Sequence, residues 1–100
     1  MLVVIPMNSV NMKEAKITPV LEAKIWAELR IEEGELVEVL HADAFDAFEV
    51  CPEAVVVCSD GEPVMDFINM SMMVLVAHTQ KTIDEIVEAF LFRELHDLAY

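Results

Sequence analysis

Hydrophobic positions along the chain fall into three unbroken runs, one alternating stretch and one helical stripe. The unbroken runs are Leu2-Val3-Val4-Ile5, which Pro6 ends, then residues 54–58, and residues 72–77. Continuous β-branched runs without alternation predict strands buried on both faces, as in a parallel sheet. Residues 7–22 keep no period and contain Pro19, so they are expected to form a loop. Residues 24–32 alternate, with Ile25, Ala27, Leu29 and Ile31 on one face and Lys24, Trp26, Glu28, Arg30 and Glu32 on the other. That pattern predicts a half-exposed strand. Glu33-Gly34 makes a turn in which Gly34 is free to take positive φ, and residues 36–40 return as the hairpin partner.

Three helices are expected. Residues 42–50 place Ala44, Phe45 and Phe48 at helical spacing between Asp43, Asp46 and Glu49, and the segment ends before Pro52. Ser59 and Glu62 have the spacing of a capping box, with Pro63 in the tolerated first turn, and open a helix to about residue 69. Val64, Phe67 and Ile68 form its apolar stripe. Thr82 and Glu85 make a second capping box for a helix over about 83–97, striped by Ile83, Ile86, Val87, Phe90, Leu91, Leu95 and Leu98.

The order β-β-β-α-β-α-β-α makes one α/β domain over residues 1–100. A hairpin supplies antiparallel strands, and the two later strand–helix–strand crossings are parallel and right-handed. The expected result is a five-stranded mixed sheet, order 3-2-1-4-5 with strand 2 antiparallel, and helices on both faces. Strands 1 and 4 are then neighbours from which the chain winds in opposite directions, and ligand crevices in open α/β sheets lie at such a switch point. Its lips are residues 8–12 and 59–62.

Charge narrows the function. Nineteen acidic residues against six basic give −13, which opposes nucleic-acid binding and anionic membranes, because both need clustered Lys and Arg. Apolar runs fall far short of the ~20 residues of a membrane span, so a cytoplasmic protein is expected. Cys51 and Cys58 flank an extended segment and stand on the order of 20 Å apart, which excludes a disulfide between them. A two-metal nuclease needs carboxylates converging from central strands, and strand 1 offers none. No Ser/His/Asp order or nucleotide-binding glycine pattern is present, so a non-catalytic protein is expected. Met65, Met70, Met72 and Met73 are read as packing. His96, near a helix end, is read as a partner of the helix dipole. Trp26, with Lys24 and Arg30 on the polar face, is expected to be partly accessible and to mark an interaction surface. The other reading has Trp26 lying along the aliphatic stems of its neighbours.

The opening Val3-Val4-Ile5-Pro6-Met7-Asn8, the Ile17-Thr18-Pro19 ahead of the alternating strand, and the closing Thr82-Ile83-Asp84-Glu85-Ile86-Val87 resemble one family. It is the dinitrogenase iron–molybdenum cofactor biosynthesis family, which includes NifX-like proteins and the carboxy-terminal domain of NifB. The resemblance implies a three-layer ribonuclease H-like fold and a role in binding or carrying an iron–sulfur or iron–molybdenum type cluster. Family members place a His-Phe-Gly triplet where this chain has Val20-Leu21-Glu22. The cluster donors implied here are Cys58, His78 and His41. Two readings stay open: a cluster carrier or accessory protein, and a protein–protein interaction or regulatory domain on the same scaffold without metal.

Overall fold

The computed structural model describes residues 1–11, 14–49 and 52–97. Met12 of the expected lip, Val50 at the expected helix end, Cys51, and Leu98 of the terminal stripe lie outside the described residues. Among those described, the strands are β1 (Leu2–Met7), β2 (Ile25–Glu32), β3 (Glu35–Ala42), β4 (Ala54–Val57), β5 (Met73–Val76) and β6 (His96–Asp97). The α-helices are α1 (Met65–Asn69) and α2 (Ile83–Leu91), and Val20–Glu22 form one 3-10 turn within the loop after β1. One mixed sheet takes the order β3-β2-β1-β4-β5-β6. β2 runs antiparallel to both its neighbours, while β1, β4 and β5 are mutually parallel.

The first five strands stand in the expected order, and β6 is an addition. It pairs antiparallel with β5, Val76 facing His96 and Leu75 facing Asp97. The long terminal helix was expected to cover this ground, but α2 stops at Leu91. Arg93 adopts φ 57°. Its amide donates to the Phe90 carbonyl at 3.2 Å, and the Glu94 amide donates to Ala89 at 2.8 Å. These are the two hydrogen bonds of a Schellman C-cap, formed with arginine in the left-handed position usually held by glycine. The start of α2 is as expected: Thr82 and Glu85 close a reciprocal capping box.

Two faces emerge from strand alternation. Val3, Ile5, Leu29, Val56 and Leu75 bury under α2, against Ile83, Ile86 and Val87. Val4, Trp26, Val55, Val57 and Val76 bury on the opposite face, against Val64 and Phe67 of the α1 region. Pro6 does not end β1. It stays in register with Trp26, and its carbonyl accepts from the Thr18 amide at 3.0 Å. The β2–β3 turn places both Glu33 (φ 53°) and Gly34 (φ 80°) in the left-handed region, the requirement of a type I′ hairpin.

Two expected helices are corrected. Residues 43–49 are bends and turns, with one backbone bond from Ala47 to Ala44. β3 extends through Ala42 and takes the first residue of the expected helix into the sheet, paired with Trp26. Phe45 and Phe48 still pack on the sheet, but from a loop. The Ser59–Glu62 capping box does not form. α1 begins only at Met65, with no side-chain cap, because Glu62 is engaged elsewhere. No helix among the described residues is long and apolar enough to cross a membrane.

Candidate functional site

The sheet offers two ends. At the carboxyl ends of its parallel strands stand the donors implied by the resemblance. Cys58 follows β4, half-buried, and its thiol donates to Oε1 of Glu62 at 3.4 Å. Burial, and next the Glu62 hydrogen bond and charge, push the thiol above its ordinary value of 9.0. Both effects disfavour the thiolate, the form that ligates metals. His78 follows β5 and is exposed. Its Nε2 lies 3.2 Å from Oδ1 of Asp60, and its ring centroid lies 5.7 Å from that of His96. His41 sits near the end of β3, opposite Ala27. In the order β3-β2-β1-β4 it is three strand spacings from Cys58, roughly 14 Å at ~4.8 Å each. Cys58, His78 and His41 thus do not make one ligand set. Among the described residues no group of three or more His, Cys, Asp or Glu is placed to hold a metal ion. Glu62 also bridges the expected crevice, accepting from the Val20 amide at 2.9 Å across 42 residues.

The expected surface on β2 divides. Trp26 is only 5% exposed and meets Phe45 and Phe67 edge-on at centroid distances of 5.7 and 6.0 Å. Those two rings in turn lie 4.9 Å apart. Trp26 is core, which corrects its placement on a contact surface. β2 is an interior strand, and the cover supplied by α1 and residues 43–49 reaches over its nominally polar face. Lys24 remains exposed, and Arg30 is half exposed, 3.8 Å from carboxylates of both Glu32 and Glu38. The methionines also differ from expectation: Met72 is buried, but Met65, Met70 and Met73 are exposed.

The aromatic trio covers the carboxyl half of this face and leaves the amino half open. A groove of about 530 Å³ lies there. Its floor is Glu28 of β2, beside Leu2 and Leu40 on the flanking segments. Glu38, Glu49 and Glu53 rise around it from β3, the 43–49 loop and the approach to β4. Arg30 and Glu32 close one side. Glu28 stands opposite Val4 on β1 and Leu40 on β3. It is 3% exposed, and its Oε2 is buried without a hydrogen-bond partner among the described residues. Burial, followed by the charge of Glu38, raises its carboxyl above the ordinary 4.5. Arg30, the basic side chain of the lining, engages Glu32 and Glu38. The Met1 ammonium donates to the Ile31 carbonyl at 2.7 Å.

Alternation alone assigned Glu28 to a solvated stripe. The combination that marks it is an acid two positions from a tryptophan, on the same face of a strand that the topology places inside the sheet. Such a face cannot be wholly solvated when a loop and a helix pack over it.

No family model matches the chain, and no curated protein matches it significantly. Among solved structures, the chain is similar to one described as the crystal structure of PH0822. The TM-score is 0.72 at 16% identity, over 97% of this chain and 96% of that one. At that identity the likeness shows a shared α/β fold.

Proposed function

We propose that this protein is a small non-catalytic binding module on a ribonuclease H-like layered scaffold, and that its working site is the acidic groove over Glu28. The order of the first five strands, with β2 antiparallel, supports the scaffold. The carrying observation for the site is the buried, unpartnered Oε2 of Glu28. A buried carboxylate without a partner destabilises its own fold. Such groups concentrate where function needs them. Glu28→Gln removes the charge with little change of shape. It is expected to stabilise the domain by roughly 0.5–2 kcal/mol at pH 7, read by urea unfolding. A destabilised Gln variant would show that Glu28 supports the fold and would remove it as a site.

A second reading has the chain carry an iron–sulfur or iron–molybdenum type cluster as cargo. The family resemblance supports it, as do Cys58 and His78 following the adjacent strands β4 and β5. The burial and Glu62 contact that disfavour the Cys58 thiolate, and the distance to His41, weigh against it. Anaerobic reconstitution with iron and sulfide tests this reading: colour lost in Cys58→Ala and His78→Ala favours the carrier, and a colourless wild type ends it.

A further inference from the structure

We infer that the groove binds an alkylammonium ligand, whose charged nitrogen sits on Glu28 and whose aliphatic stem lies along Leu2 and Leu40. This inference rests on the groove being the working site. Three features of the lining select that chemistry. First, the floor residue Glu28 carries a buried oxygen on which no donor of the described residues is engaged. A charge-assisted N–H···O bond to this carboxylate offsets its lost hydration and its negative charge. Second, a bare metal ion is a poor occupant. The carboxylates come from β2, β3, the 43–49 loop and the segment before β4, and among the described residues they assemble no metal-binding group of three. The space of about 530 Å³ is also far larger than an ion with a few waters, each of ~30 Å³. Third, the lining is not uniformly polar. Leu2 and Leu40 adjoin the floor, and Met1 lies at one edge. Apolar area beside a buried carboxylate suits a methylene chain ending in an amine, in the way lysine stems lie on apolar surface.

The rim carries the argument one step further. Glu32, Glu38, Glu49 and Glu53 surround the mouth, with Arg30 the opposing side chain. A ligand with one amine on Glu28 meets further carboxylates as it leaves the groove, so more than one positive charge is favoured. The net charge of −13 draws such a cation in from a distance. Two sources provide this chemistry: a free polyamine, and a lysine side chain within a basic segment of a partner protein.

Calorimetric titration of the full chain with spermidine and with a short lysine-rich peptide separates those sources, because the true source binds more tightly. Backbone amide shifts monitored in parallel are expected to move at residues 28, 38 and 40. Glu28→Gln should weaken binding about ten- to a hundredfold, the worth of one charged hydrogen bond. Glu88→Gln, on α2 across the sheet, removes an equal charge and should leave binding nearly unchanged. Equal losses in the two variants would mean diffuse attraction and overturn the inference. Magnesium binding at Glu28 while both amines fail would overturn the amine chemistry and leave the groove as the site. Amine-induced shifts confined to the carboxyl ends of β4 and β5 would overturn both.

Discussion

Oε1 of Glu62 accepts the backbone amide of Val20 at 2.9 Å and, from its other side, the thiol of Cys58 at 3.4 Å. One oxygen thus ties the loop after β1 to the turn after β4, two segments far apart in sequence. Glu62→Ala strands a partly buried amide and should cost about 1–3 kcal/mol, measured by urea unfolding. Glu62→Gln keeps an acceptor for Val20 but removes the charge that, after burial and the hydrogen bond, adds to the upward shift of the thiol. It should therefore accelerate iodoacetamide alkylation of Cys58 at pH 8, followed in a chain whose Cys51 is replaced by serine. An unchanged rate would mean that Glu62 does not govern the thiol.

Trp26 is one of three mutually edge-on rings and is almost fully buried. Its emission should be blue-shifted and poorly quenched by acrylamide. Trp26→Ala removes the largest side chain of this face and should cost roughly 3–5 kcal/mol. That loss is a large part of the stability of a domain of this size. A variant that melts like the wild type would return Trp26 to the surface.

Glu28 and Glu85 respond to pH with opposite signs. Glu85 is held below its ordinary 4.5 by the Thr82 amide, then by the Lys81 amide and the Thr82 hydroxyl. Its contribution is present above 4.5 and is lost as pH falls through the depressed folded value. Glu28 is held above 4.5, so its ionised form weakens the fold at neutral pH. That penalty lifts as pH falls through the raised value. Glu38 faces it from β3, Arg30 and Glu32 from its own strand, and Glu49 and Glu53 from the loops. The stability gain of Glu28→Gln should accordingly be greatest at neutral pH and vanish below 4.5. The deficit of Glu85→Gln should be present at neutral pH and shrink in the acid range. Unfolding series over pH 3–8 give both slopes.

Most of the scaffold was legible because its signals are local. Runs such as Val55-Val56-Val57 are fully buried on both faces, as continuous β-branched segments imply. Thr82 and Glu85 announce a helix start by spacing alone. The helix stop was not legible, because its left-handed residue is Arg93 and no glycine marks it. Phe45 and Phe48 have helical spacing, yet they serve a loop that packs on Trp26. Periodicity registers which side chains point inward and not the backbone that carries them. The site was the least legible part. Cys58, His78 and His41 stand out in the sequence for their donor atoms, but strand spacing separates His41 from Cys58. Glu28 passed as one more polar residue of an alternating strand. Its isolation is created by what packs over β2, which no local pattern encodes.

The two outer strands of the sheet end it by different means. β6 is a two-residue stub, too short to template another strand. β3 is eight residues long and exposes Val37 and Leu40 along a free edge. An edge of that length and apolar character invites pairing with a second chain. Its guard is Glu35 and Glu38, together with the register shift that displaces β3 between Arg30 and Ile31 of its neighbour. Like charges on those side chains oppose the approach of a second such edge. The free backbone groups of β3 stay in place whatever stands beside them, so the hazard is latent in the fold and its restraint is two side chains deep. Light scattering should rise when Glu35 and Glu38 are both replaced by glutamine, and rise less when Val37 is replaced by lysine in the same chain.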